Sequence, residues 1–211
     1  MRKNNSVRNM TLFSMFLAIE LILLFTPLGF IKLPGLSITL MHIPVIAAAI
    51  LLGWKAGAGL GLVFGICSVW NSTMNPGLTA FIFSPFVTVA GVSGNWTSLL
   101  IAIVPRVLLG LIAAYLFRFL SGKMPRAAAA GISAAAATLC HTFMVLGLIA
   151  LLWGPQYAAA IGQAPDALLF YLGMVVLTNG MGETGLAAVV MMALAKAIKP
   201  AGSPAVHAGK D

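Results

Sequence analysis

Long apolar stretches separated by short polar connections account for almost the whole chain. A helix rises about 1.5 Å per residue, so about 20 apolar residues span the hydrocarbon core of a bilayer. The stretches therefore predict an all-α membrane protein with six transmembrane helices. We place them at residues 10–30, 38–53, 56–70, 96–120, 127–153 and 168–198, with an outer loop or cap at 71–95. The short second and third helices, joined by a tight Trp54-Lys55 turn, predict a compact hairpin.

The composition agrees with this pattern. Hydrophobic residues make up 61% of the 211 residues, charged residues only 8%, and the mean hydropathy is +1.04. A soluble domain of this size needs a more polar surface. We therefore expect one integral membrane domain over residues 1–211, located in the cell membrane. We attribute the net charge of +8 to loops that face anionic lipid, because no basic stripe interleaved with aromatic residues indicates a nucleic-acid partner.

The positive charges are unequally distributed over the predicted connections, and this predicts the orientation. Cytoplasmic loops of membrane proteins are enriched in Lys and Arg. With the N-terminus inside, the cytoplasmic side receives every Lys and Arg except Lys32 and Arg106, so both termini are expected in the cytoplasm. The cytoplasmic set is Arg2, Lys3, Arg8, Lys55, Arg118, Lys123, Arg126, Lys196, Lys199 and Lys210.

The segment from Leu78 to Gly91 is apolar enough to be mistaken for a seventh span. It is only about 14 residues long, it contains Pro85, and counting it would move the basic connection 118–126 to the outer side. We interpret it as part of the outer loop or cap. Such a loop is either a lid over a binding site or a segment packed on the end of the bundle.

Polar residues inside the predicted spans converge at one depth. Arg106 lies about 15 Å below the outer interface, His141 about 18 Å, and Asn179 and Glu183 about 14 to 20 Å. Asn179 and Glu183 are four residues apart, so they are expected to share a helix face. Ionisable residues within membrane spans usually mark a ligand or ion pathway. We predict a substrate site here, completed by Trp70, Asn71 and Asn75 from the outer end of the third span.

Each of these residues also has a purely structural interpretation. Arg106 and Glu183 would neutralise one another if they formed an ion pair, and His141 would then be an ordinary core histidine. His42 and Trp70 lie at the outer ends of their spans, where aromatic side chains commonly anchor a protein to the membrane. Glu20, in the middle of the first span, binds a proton, pairs with a neighbour or stays protonated, and the sequence does not distinguish these roles.

No motif supplies an energy source or a catalytic centre. The chain has no G-x-x-x-x-G-K-[ST] loop for ATP and no His or Cys cluster for a metal, and Cys67 and Cys140 are expected to be inert packing residues. Ser133 and His141 are about 12 Å apart along one helix, too far for a nucleophile and its base. We therefore expect no enzyme and no cofactor. The alternatives are a binding subunit that uses partner ATPases, a proton-coupled secondary transporter and a structural factor.

The sequence resembles the S components of energy-coupling-factor (ECF) vitamin transporters. The likeness covers Ser14 to about Ile198. Its motifs are Thr26-Pro27-Leu28-Gly29, His42-Ile43-Pro44-Val45-Ile46, Asn75-Pro76, Phe83-Ser84-Pro85-Phe86, Val104-Pro105-Arg106 and Thr178-Asn179-Gly180 followed by Glu183.

The resemblance implies six helices with both ends cytoplasmic and a vitamin site built from outer loops and later helices. It also implies a transmembrane coupling subunit and two cytosolic ATPases as partners, with the whole S component toppling in the membrane to release its cargo. Family members dock through an Ala-x-x-x-Ala pair on the first helix, which corresponds to Ser14 and Ala18 here.

Within the family, the chain is most similar to the pantothenate-type members. Pantothenate offers a carboxylate for Arg106, and hydroxyl and amide groups for Asn179, Asn71 or Asn75. If Glu183 neutralised Arg106, the preference for an anion would disappear. Riboflavin, a thiamine precursor or a cobalamin would then fit equally well.

Overall fold

The computed structural model describes residues 2–33 and 36–198, and it is built almost entirely of helices. Lys199 and Lys210, two of the basic residues predicted on the cytoplasmic side, lie outside the described residues. The helices are α1 (Arg2–Leu24), α2 (His42–Leu52), α3 (Trp54–Met74), α4 (Trp96–Leu120), α5 (Arg126–Ala160), α6 (Leu168–Val175) and α7 (Met181–Ala197). A π-helical turn, Val176–Gly180, joins α6 to α7. The strands are β1 (Phe30–Leu33), β2 (Leu36–Thr39), β3 (Thr88–Val89) and β4 (Val92–Ser93).

Within residues 2–33 and 36–198, four helical segments are long and apolar enough to cross a membrane. They are Ser6–Leu24, Trp96–Leu120, Arg126–Ala160 and Pro165–Ala197. The helix α3 has 21 residues, whereas α2 has only 11 and is about 17 Å long. The chain is thus a multi-pass helical membrane protein, but α2 alone is shorter than the hydrocarbon core.

The predicted first and second spans differ from the observed helices because an antiparallel hairpin replaces part of each. The first helix ends at Leu24 rather than at residue 30, and β1 then pairs with β2, so that Phe30 is opposite Thr39. The second span, predicted from residue 38, begins as a helix only at His42. The predicted spans extend beyond the helices because Phe30 of β1 and Ile38 of β2 continue the apolar runs of the adjoining helices.

A single glycine joins α2 to α3. Gly53, with φ 96°, is the only residue between the two helices, and it adopts a conformation that L side chains rarely take.

A close seam between α3 and α4 lies at the centre of the bundle. A Cβ atom at Gly61 would overlap the carbonyl group of Arg106, and one at Gly65 would lie 2.9 Å from the carbonyl oxygen of Ala102. The small residues thus let the two backbones touch, which positions the backbone of Arg106.

The outer connection 71–95 contains no long helix. The helix α3 continues to Met74, and a three-residue 3-10 helix, Ala80–Ile82, precedes the β3–β4 hairpin. Phe81 is fully buried, with its ring centroid 5.3 Å from that of Trp153, and its carbonyl accepts a 2.6 Å hydrogen bond from the Ser98 hydroxyl. The segment is therefore packed on the bundle end.

Candidate ligand-binding site

A cavity opens at the end of the bundle where α3 ends and α4 begins. It comprises about 640 Å³ of atom-free space, including its opening to the surroundings. The lining residues come from the β1–β2 hairpin, from the loop after α3, and from α3, α4, α5 and α7. They are Phe30, Thr39, Ser68, Asn71, Ser72, Phe83, Arg106, His141, Thr142, Val145, Leu146 and Glu183.

Arg106 contributes a buried positive charge to this cavity. The residue is 5% exposed, and its guanidinium carbon lies 5.4 Å from the ring centroid of Phe64 and 5.3 Å from that of Phe83. These distances allow cation–π attraction. The Nε atom has no hydrogen-bond partner, and no ion pair to Arg106 is present among residues 2–33 and 36–198. The guanidinium is therefore held in place without a direct ion pair in the described chain, although Glu183 is near enough to act on it electrostatically.

The residue before it explains how the Arg106 side chain is held. Pro105 lacks an N–H group, so the carbonyl group of Ile101, four residues earlier, loses its helical partner. Nη1 of Arg106 donates a 2.6 Å hydrogen bond to that same carbonyl oxygen. The Val104-Pro105-Arg106 motif thus creates a free acceptor and satisfies it with the following side chain. This bond fixes one edge of the guanidinium.

Glu183 brings a carboxyl group to the cavity from α7. Its Oε1 accepts a 2.7 Å hydrogen bond from the backbone N–H of Thr39 in β2. The hydroxyl of Thr39 donates to the carbonyl of Gly29 at 2.7 Å and accepts from the N–H of Met41 at 3.1 Å. Glu183 therefore ties the hairpin to α7. In the described chain it makes no ion pair with Arg106, so direct neutralisation is not the arrangement observed.

Two histidines lie deep in the same region. His141 is 5% exposed, lines the cavity and packs with its ring centroid 6.1 Å from that of Phe64. His42 is 1% exposed and lies close to Thr39 and Glu183. The sequence interpretation of His42 as an interfacial anchor is wrong, because the preceding hairpin covers the start of α2 and buries the imidazole.

Four of the predicted substrate-site residues line the cavity, and three do not. Asn71, Arg106, His141 and Glu183 are brought together. Trp70 is half exposed and lines a separate apolar groove on the outer surface of α3 and α4. The side chain of Asn75 donates a 3.4 Å hydrogen bond to Asn71 and does not reach the lining.

Asn179 lies in the π-helical turn and does not line the cavity, whereas Glu183, four residues later on α7, does. A π turn inserts one residue, which shifts every later side chain around the helix axis by about 100°. The buried positions before the turn are Leu168, Leu172 and Val175, the buried position within it is Gly180, and those after it are Thr184, Ala187, Met191 and Ala195. The turn therefore displaces the buried face between α6 and α7.

Several lining residues were not predicted, although some had a helical signal. Ser68 and Ser72 lie within one turn of Asn71 on α3, and Thr142 and Val145 are on the His141 face of α5. Projection of the helices from Asn71 and His141 identifies this group. The remaining lining residues depend on hairpin and loop positions that the helical pattern does not encode. They are Phe30, Thr39 and Phe83.

The first helix, α1, has small exposed residues on one side and a buried carboxyl group on the other. Ser14 and Ala18, the predicted docking pair, are both exposed on α1. On the opposite side Glu20 is 0% exposed, and neither of its oxygens has a hydrogen-bond partner among the described residues. A buried carboxyl without a partner is favoured in its neutral form.

A multi-pass helical bundle with a charged cavity near one end defines a membrane protein that binds a small ligand. The chain belongs to the family described as ECF transporter, substrate-specific component, whose model matches residues 8–195. It therefore has a role in transport.

Two curated relatives have matching sequences. The chain is 32% identical over 202 residues to the pantothenic acid transporter PanT of Lactococcus lactis subsp. cremoris (strain MG1363), covering 94% of this chain and 97% of that protein. It is 31% identical over 121 residues to the pantothenate transporter PanT of Leuconostoc mesenteroides subsp. mesenteroides, covering 54% of this chain and 52% of that protein.

Proposed function

We propose that this chain is the substrate-binding subunit of an ECF-type importer and that its substrate is pantothenate. Family membership supports the subunit role, and the names of the two relatives support the substrate. The observation that carries the proposal is the buried guanidinium of Arg106, which lines a cavity without an ion-pair partner in the described chain.

Desolvation of a charge is costly unless another charge compensates it. A ligand carboxylate compensates the guanidinium of Arg106 and forms charge-assisted hydrogen bonds with it. Pantothenate has one carboxylate, and its hydroxyl and amide groups suit the hydroxyls and amide that line the rest of the cavity. These are Ser68, Asn71, Ser72 and Thr142. Riboflavin and thiamine precursors carry no carboxylate, so they leave the guanidinium without a compensating anion.

The proposed topology has six membrane-crossing segments with both termini in the cytoplasm and the cavity open to the outside. All described basic residues of the predicted cytoplasmic set lie at or near the bundle end opposite the cavity, as the positive-inside rule requires. The short helix α2 is extended towards the outer side by the β1–β2 hairpin. This combination replaces a full-length second span.

The proposed mechanism is capture followed by reorientation driven by partners. A transmembrane coupling subunit and two cytosolic ATPases supply the energy. The exposed Ser14 and Ala18 face of α1 is the proposed contact with the coupling subunit, because small residues let two helices approach closely in a membrane.

The test is binding and uptake measured on the same protein. Purified protein in lipid nanodiscs is titrated calorimetrically with pantothenate, riboflavin, thiamine and cobalamin, and we expect saturable binding of pantothenate alone. Uptake by cells is then measured with the partner subunits and with an ATPase variant that cannot hydrolyse ATP. Uptake that persists without ATP hydrolysis would support a proton-coupled transporter instead. Tight binding of a neutral vitamin in place of pantothenate would refute the substrate assignment.

A further inference from the structure

A second charged group lines the cavity together with Arg106. Glu183 reaches it from α7 and Arg106 from α4, and within the described residues neither forms an ion pair. Only Oε1 of Glu183 accepts a hydrogen bond, from Thr39, and Oε2 accepts none within the part of the chain that is described. An ionised carboxylate is an acceptor only. The cavity therefore has one wall that attracts anions and another that attracts hydrogen-bond donors.

The hydrogen bond from the N–H of Thr39 keeps the Glu183 carboxyl group from pairing directly with Arg106. If Glu183 turned to pair with Arg106, the backbone N–H of Thr39 would lose its acceptor in a largely buried position. An unsatisfied buried donor is destabilising. Thr39 is also fixed by its hydroxyl, which bonds to Gly29 and Met41. The hairpin thus holds Glu183 out of direct ion-pair contact with Arg106 and leaves its second oxygen available to a ligand, although the two charged groups still act on each other electrostatically.

We propose that Glu183 is a specificity-determining residue that selects against ligands with a second anionic group. This inference rests on the proposed function. A ligand with one carboxylate places it at Arg106 and offers neutral hydroxyls to the free oxygen of Glu183. A phosphate ester at the hydroxyl end brings a second anion to a carboxylate. Two like charges brought together at a recognition site repel each other, and this repulsion excludes the wrong ligand.

The predicted substrate class is therefore a monocarboxylate with hydroxyl donors at its other end. Pantothenate belongs to this class, and its phosphate monoester at the primary hydroxyl does not. The discrimination is assigned to the charge of Glu183.

The experiment compares both ligands on three proteins in nanodiscs by calorimetry at pH 8, where the phosphate ester is dianionic. The proteins are the wild type, Glu183→Gln and the control Asp166→Asn. Asp166 is an exposed carboxylate in the 3-10 helix Pro165–Ala167 and does not line the cavity. Glutamine keeps an acceptor for Thr39, so the hairpin contact is preserved.

We expect the wild type and Asp166→Asn to prefer pantothenate over its phosphate ester by at least about 100-fold. In Glu183→Gln the preference should fall below about 10-fold, with weaker pantothenate binding and stronger ester binding. An unchanged preference in Glu183→Gln overturns the inference while leaving the proposed function intact. If the wild type binds neither ligand, the proposed function fails and the inference fails with it.

A second measurement covers the case in which Glu183→Gln does not fold. The wild type is titrated with a pantothenate analogue whose two hydroxyls are replaced by hydrogen. We expect at least about 10-fold weaker binding, because the free carboxylate oxygen loses its donor. Equal binding of pantothenate and this analogue overturns the inference. Equal binding of pantothenate and the phosphate ester by the wild type does so as well.

Discussion

The helices α4 and α1 are both long and apolar, yet they are packed in opposite ways. In an apolar 18-residue stretch of α4, 44% is buried inside the bundle, whereas the corresponding share in α1 is only 11%. The backbone of α4 touches that of α3 at Gly61 and Gly65, which fixes Arg106 at the cavity. The exposed surface of α1 presents Ser14 and Ala18. The comparison agrees with the proposal that α4 holds a ligand-binding charge and that α1 meets a partner.

The largest effect is expected from removal of the charge on α4. Arg106→Ala should weaken pantothenate binding at least about 100-fold, or ~3 kcal/mol, because the ligand carboxylate would be buried unpaired. Calorimetry in nanodiscs measures the effect. Arg118→Ala is the matched control, since Arg118 is exposed at the other end of the same helix and should bind normally. Wild-type affinity in folded Arg106→Ala would remove the basis of the anion assignment.

The next effect separates binding from transport on α1. Ala18→Trp should reduce ATP-dependent uptake to below about a tenth of the wild-type rate while leaving ligand affinity within about twofold, because a bulky side chain prevents close helix contact. Ile19→Trp, about 100° around the same helix, is the control and should retain most uptake. Normal uptake by Ala18→Trp would show that this face is not the docking surface.

A smaller effect tests the close seam that positions Arg106. Gly61→Ala should destabilise the protein by about 1–3 kcal/mol, because the added methyl overlaps the backbone of α4. Gly59→Ala is the control, since its Cβ would meet only the ring of Phe13 at an ordinary 3.8 Å. Thermal unfolding in detergent compares the two variants. Equal melting temperatures would mean that the seam tolerates separation of the helices.

The smallest effect distinguishes two neighbouring residues of α3. Asn71→Ala should weaken pantothenate binding by about 10-fold through loss of a hydrogen bond in the cavity, whereas Trp70→Ala should change it by less than about threefold. Asn71 lines the cavity whereas Trp70 lines the separate apolar groove, so only Asn71 of the two faces the ligand. A titration that ranks them in the reverse order would place the ligand in the outer groove beside Trp70.

The sequence predicted the parts of the site that depend on one helix at a time. The burial of Arg106, the burial of His141 and the lack of a long helix in Leu78–Gly91 all follow from local hydropathy and from helix geometry.

The parts that were missed depend on contacts between distant segments. The β1–β2 hairpin reaches the site because Thr39 bonds to Glu183, a residue 144 positions later in the chain. Hydropathy alone cannot separate the two ends of this hairpin from the adjoining membrane helices, because Phe30 and Ile38 continue the apolar runs. The displacement of the buried face between α6 and α7 comes from a single π turn, which the regular spacing of helical residues does not reveal.

The proline before Arg106 has a consequence for how this pocket can be altered. Replacing Pro105 with alanine restores an N–H group that shares the Ile101 carbonyl with the guanidinium and weakens the hydrogen bond now made by Nη1. The arginine would then gain rotational freedom while the backbone hydrogen bonds of the helix became more regular. At this position a gap in the helical hydrogen bonds therefore favours a preoriented cation.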